Sequence, residues 1–207
     1  MSSMPQALSS MPQPSRYHPA LVALHWVLAL LIVAALALGA LVMAKIPNSD
    51  PAKIEALRSH MVGGVLILLL MVLRLVVRSV SRGPASASTG SPALDRLAWA
   101  SHRMFYVAVL AMAGSGIVMA LQADLPSIIF AGGGALPADF WAFPTRPVHY
   151  LVSRLLMALI ALHVAGALYH TLILRDGLLK RMVFGRRFSP ETNSTLALNQ
   201  SLSRRPS

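Results

Sequence analysis

Long uncharged apolar runs alternate along the chain with shorter polar connections, a pattern that predicts membrane-crossing helices and not a soluble core. The run from Leu21 to Ala44 carries no formal charge. As a helix rising 1.5 Å per residue it spans about 36 Å, more than the roughly 30 Å hydrocarbon layer. A second run extends from His60 to Val80 and is broken by Arg74 and Arg78, whose long stems can carry their charges to the nearby interface. The third, Met104 to Ala123, is uncharged and contains Gly114, Ser115 and Gly116, small residues that let helices or a flat cofactor approach closely. The fourth runs from about Val148 to Leu174, with Arg154 in its first turns. The leader MSSMPQALSSMPQPS lacks a basic start, so the first run is expected to stay as a span and not to be removed as a secretory signal.

The connections set the expected organisation. Residues 1–15 and 189–207 are polar and aperiodic and are expected to be a disordered N-terminal arm and a disordered C-terminal tail. Residues 16–188 then form one four-helix domain. Ser81 to Pro92 (SRGPASASTGSP) is rich in Ser, Gly and Pro and reads as a flexible loop. The longer connection from Leu125 to Pro147 contains Trp141 and Phe143, aromatic residues suited to the membrane interface, and is positioned to cap a site.

Composition narrows the chemistry. Of 207 residues, 56% are hydrophobic and 12% charged, against about 45–50% and about 25% in a soluble domain. The absence of cysteine excludes disulfides, iron–sulfur clusters and a thiol nucleophile, leaving histidine as the main metal ligand. Seven Asp and Glu are too scattered for a carboxylate pair or a calcium loop, and no catalytic acid, base or nucleophile is expected. The net charge of +11 follows from topology. Arg16, the group Arg74, Arg78, Arg82, Arg96 and Arg103, and the tail group Arg175, Lys180, Arg181, Arg186, Arg187, Arg204 and Arg205 all fall on one side. Lys45, Lys53, Arg58, Arg146 and Arg154 fall on the other. The positive-inside rule puts the richer side, and with it both termini, in the cytoplasm. Membrane topology and anionic headgroups therefore account for the charge, and no nucleic-acid partner is expected.

His25, His60, His149, His163 and His170 lie in or at the edges of the apolar runs, where an imidazole needs a partner. A single one would read as a helix-to-helix hydrogen bond; the arrangement of several says more. His149 and His163 are 14 residues apart, which is about 21 Å of rise and close to four full turns, so they share a face at two depths. With the N-terminus inside, His60 and His149 meet at the outer level and His25 and His163 at the inner one. Imidazoles facing each other from different helices suit a haem iron, and two stacked b-type haems fit the two levels. His170, seven residues beyond His163 on nearly the same face, is an alternative partner for His25 that periodicity leaves open. Arg74, Arg78 and Arg103 could pair with haem propionates, although positive-inside topology explains them without a cofactor. His102, beside Arg103, reads equally as a ligand-site residue or a solvated interfacial histidine. His18 is expected to be exposed, and Trp26 and Trp99 to be interfacial anchors.

The segments RYHPALVALHW, LRSHMVGG with MVLRLVVR, LAWASHRMFY and VHYLVSRLLMALIALHVAGALYHTLILRDGLLKRM make the chain resemble the bacterial cytochrome b561 family, which is related to the b-type cytochrome subunits of nickel–iron hydrogenases. The resemblance covers about residues 16 to 186. It implies a four-helix diheme membrane cytochrome in which His25, His60, His149 and His163 are axial ligands, and so favours His163 over His170. Two haems b per chain, each with two imidazoles, would leave no open coordination position and imply electron transfer. The expected role is that of a bacterial inner-membrane cytochrome in the respiratory chain. It would pass electrons between a periplasmic-side donor, superoxide being one that the family implies, and ubiquinone or another membrane quinone. The alternative is a haem-carrying anchor of a larger partner oxidoreductase such as a hydrogenase. Topology reporters fused after Ser207 and near Ala135 should read cytoplasm and outside respectively; the reverse pattern would invert the depth of every histidine.

Overall fold

The structure, a computed structural model, describes residues 14–85 and 89–186. The expected disordered arm, apart from its last two residues, and the expected disordered tail lie outside the described residues. Among the described residues four helices are long and apolar enough to cross a membrane. They are α1 (Pro19–Ala37), continued by a π-helical turn over Leu38–Met43, then α2 (Ala52–Val80), α3 (Pro92–Gln122), and, after the short α4 (Leu125–Phe130), α5 (Thr145–Leu168), continued by a π-helical turn over Tyr169–Leu174. The chain is a four-helix membrane protein.

Local chemistry sets the helix starts. Pro19 opens α1, and the Nδ1 of His18 accepts from the backbone N–H of Ala20 at 3.2 Å, so His18 is a half-buried cap and not the exposed residue the sequence suggested. α2 begins well before His60 because Asp50 accepts from the N–H of Ala52 at 2.9 Å and the polar turn carrying Lys53, Glu55 and Arg58 is helical without being apolar. α3 likewise begins at Pro92, ahead of the uncharged run. Asp95 in its first turn accepts from the N–H of Thr89 at 2.8 Å and from its hydroxyl at 2.9 Å, and a carboxylate there also complements the helix dipole. Hydropathy marks where a helix meets lipid, while caps mark where it starts.

The connection from Leu125 to Pro147 is more ordered than its sequence suggested. Asp124 turns the corner at φ 50°, a left-handed conformation that Asp tolerates better than most residues. The i, i+3, i+4 stripe Leu125, Ile128 and Ile129 then buries against Leu57, Ala120 and Ala123. This makes α4 a lid on one end of the bundle. Side chains tie that end together: Lys53 is buried with its Nζ donating to the carbonyls of Met43 and Ile46, and Arg58 donates to the carbonyl of Ile129 at 2.8 Å.

At the other end both limits of the described chain meet. Arg16 donates to the carbonyls of Lys180 and Val183, Trp26 Nε1 to that of Met182 at 2.8 Å, and the N–H of Tyr17 to that of Arg181. We call this the terminal end and the α4 side the lid end.

Between the two ends lies an apolar layer of Leu28, Ile67, Met71, Ala108, Val109, Leu156 and Leu159, one or more residues from each spanning helix. Backbones approach closely between α1 and α2, α2 and α3, and α3 and α5. α5 stands back from α1 and α2, so the bundle is splayed along that side. Leu156 is 2% exposed at the centre of the layer. Leu156→Ala should lower unfolding stability by about 2–5 kcal/mol, the cost of a cavity in a packed interior, read as a lower melting temperature in detergent; an unchanged melt would mean the layer does not hold the bundle.

Candidate functional site

The splayed side of the bundle is where the histidines meet. His60 on α2 faces His149 on α5 with ring centroids 6.3 Å apart, at the lid end. His25 on α1 faces His163 on α5 with centroids 6.1 Å apart, toward the terminal end. α5 therefore contributes one imidazole to each pair, from positions separated by about 21 Å of helix, and the apolar layer lies between them.

Two small residues lie beside the lid-end pair. A Cβ on Gly116 would stand 3.3 Å from Cε1 of His149, and one on Gly39 would stand 3.6 Å from Cε1 of His60. Gly39 reaches that position on the π-helical turn that ends the first span; such turns often mark functional sites. Of the neighbouring small residues, Ser115 binds His149, its Oγ lying 3.0 Å from Nδ1, whereas Gly114 is exposed with nothing nearby. The Nδ1 of His60 is buried and has no hydrogen-bond partner among the described residues, an arrangement that costs about 1–3 kcal/mol unless another bond fixes the ring.

At the terminal end the pair has company. His102 lies 5.4 Å and Phe105 5.5 Å from His163, ring centre to ring centre. His102 Nδ1 is 2.6 Å from the carbonyl of Ala98, so it donates there. Arg74 is half-buried and donates to the carbonyl of Leu21 at 3.0 Å, one turn before His25. Arg103 is exposed and lies over the Trp99 ring at 4.1 Å.

His170 is set apart from both pairs. It is 8% exposed on the second π-helical turn, and its Nδ1 is 2.5 Å from Oδ2 of Asp176. Arg175 and Gly177, both at positive φ, fold the chain back so that Asp176 reaches it. The depth count could not separate His163 from His170; the difference lies in this local fold. Asp176 was not singled out from the sequence, although its place between two turn residues in RDG was a usable signal.

Among the described residues no three His, Asp or Glu side chains converge as a metal site would require; what the bundle offers is facing pairs. An imidazole with bonds near 1.3 Å has its nitrogen about 1.1 Å from the ring centre, and a metal–nitrogen bond is about 2.0–2.1 Å, so two rings in line on one metal have centres about 6.3 Å apart. Both observed separations fit that figure. Paired imidazoles from different helices, at two depths, in a bundle with an open side define a class: membrane proteins that can hold a flat metal cofactor between helices.

The chain belongs to the prokaryotic cytochrome b561 family, whose model matches residues 16–185. It is 28% identical over 179 residues to cytochrome b561 homolog 2 of Escherichia coli (strain K12), an alignment covering 82% of this chain and 92% of that protein. Membership makes it a membrane-bound b-type cytochrome, a haem protein of electron transfer.

Outside the membrane-spanning segments, the hydrogen bond from His170 holds the Asp176 carboxyl below its usual range. A carboxyl whose folded value is depressed stabilises the fold fully above its unfolded value of about 3.9 and loses that contribution as pH falls through the folded value. The stability difference between wild type and Asp176→Asn should thus shrink as pH falls below about 4, as measured by melting. A difference that grew on acidification would contradict the assigned contact.

Proposed function

We propose that the protein carries two haems b per chain, one held by His60 and His149 near the lid end and one by His25 and His163 near the terminal end, and moves electrons across the bilayer. The observation that carries this reading is the pair of matched ring separations, 6.3 and 6.1 Å, at two levels of one helix. A haem held by these imidazoles would supply one-electron redox chemistry.

The protein's own part is to bind, space and insulate. Each imidazole would have to present an unprotonated ring nitrogen to the metal. Gly39 and Gly116 keep β-carbons away from the lid-end rings. The Leu28–Leu159 layer excludes water between the two levels. Arg74 supplies the positive charge nearest the terminal-end pair and is the stronger candidate for a propionate; Arg103, over Trp99 at the surface, would have to turn from that ring to contribute.

In this reading the terminal end faces the cytoplasm, where the excess of Lys and Arg belongs, and the membrane is the bacterial inner membrane. Electrons pass between a donor on the periplasmic, lid-end side, with superoxide as a candidate, and ubiquinone or another membrane quinone. The purified protein should show a reversible dithionite difference spectrum of low-spin haem b at two haems per chain. His60→Ala or His149→Ala should each remove one and the same haem, and His25→Ala or His163→Ala the other. Four single variants that all retain two normal low-spin haems would overturn the assignment. Retention of both haems in His163→Ala with loss of one in His170→Ala would overturn the choice of His163.

A further inference from the structure

The two imidazoles of the lid-end pair differ at Nδ1. His60 Nδ1 is buried without a partner among the described residues. His149 Nδ1 lies 3.0 Å from Ser115 Oγ, and the same hydroxyl is 3.0 Å from the carbonyl of Met112, one turn back on α3. A hydroxyl has one proton and a carbonyl can only accept. When Ser115 gives its proton to Met112, its oxygen can only accept from His149, so the proton of that imidazole sits on Nδ1 and Nε2 keeps its lone pair. The relay Nδ1–H to Oγ–H to carbonyl thus selects one tautomer and fixes the ring plane. Gly116, next in sequence, lets α3 come close enough for the contact: a β-carbon there would press on the same ring at 3.3 Å.

We propose that Ser115 is a positioning residue that sets the tautomer and the basicity of His149, and thereby the reduction potential of the lid-end haem alone. The inference rests on the two-haem reading above. A hydrogen bond accepted from the remote N–H of a metal-bound imidazole raises the basicity of the ligand. A more basic imidazole favours the oxidised, more positively charged iron, so Ser115 lowers the potential. His60 has no counterpart bond among the described residues; on loss of the hydroxyl His149 is left with the Met112 carbonyl as an acceptor in reach.

The test is a spectroelectrochemical titration of the intact haem-loaded protein. His25→Ala, which leaves only the lid-end step, identifies which of the two wild-type steps belongs to His60 and His149. Ser115→Ala should keep two haems and move that step to more positive potential by a factor of about three to ten in the reduction equilibrium, roughly 30–60 mV at 59 mV per decade for one electron. The terminal-end step should stay in place. Ser115→Thr, which keeps the hydroxyl, should restore the wild-type potential and the low-temperature EPR signal of the oxidised lid-end haem. An unshifted lid-end step in Ser115→Ala, an equal shift of both steps, or a Thr variant that behaves like Ala would overturn the proposal. Loss of the lid-end haem in Ala with its retention in Thr would support it in a stronger form, and loss in both would overturn it in favour of a steric role. Wild-type protein with fewer than two haems, or His149→Ala with both, would instead be a failure of the two-haem reading itself.

Discussion

Hydrocarbon offers no water to a polar group, and the rest of the molecule follows from that constraint. A helix satisfies its own backbone, so four helices span, but each imidazole placed inside an apolar run needs a partner that the lipid cannot supply. The bundle meets that need by splaying. α3 packs closely against α2 and α5, α1 against α2, and α5 stands back from α1 and α2, leaving opposed rings about one metal ion apart at both levels. Closing the gap with larger side chains would tighten the bundle and remove what the histidines face. At Gly116 a β-carbon would press on the His149 ring at 3.3 Å, so a larger residue there would have to displace the ring.

The same constraint governs the ends. Helix termini leave carbonyls without intrahelical donors, and here long cationic side chains supply several of them. Lys53 serves Met43, Arg58 serves Ile129, and Arg16 serves Lys180 and Val183. A cation placed for topology is thus reused as a cap. This weakens any argument from a basic residue straight to a cofactor carboxylate, as Arg74 and Arg103 illustrate: one bonds a backbone carbonyl and the other an indole face.

Much of this was legible in the sequence because lipid imposes a coarse, long-range signal. Four apolar runs gave four spans, and the 14-residue interval from His149 to His163 placed two imidazoles on one face at two depths, which the structure reproduces. The segments that escaped are those governed by short-range geometry. The polar first turns of α2 and α3 are helical through caps at Asp50 and Asp95, which hydropathy does not register. α4 forms because Leu125, Ile128 and Ile129 find an apolar surface made by other helices, information absent from the local segment. His170 shares the periodicity of His163 and differs only in a π-helical turn and a left-handed Arg175, neither of which a 3.6-residue repeat can express.

Ser115 shows where that limit matters most. Along the sequence it is one of three small residues, and composition gives no reason to prefer it to Gly114 or Gly116. In the fold the three separate by angle on α3: Gly114 faces outward, Gly116 faces the edge of the His149 ring, and Ser115 meets its nitrogen. Rotation of α3 by one residue, about 100°, would put a glycine at the nitrogen and carry the Ser115 hydroxyl away from the ring, leaving it only its own-helix bond to the Met112 carbonyl. The register of α3 against α5 is therefore held by this polar contact as well as by the apolar layer, and the residue that orients the histidine also helps to fix the packing that brings the histidine to its pair.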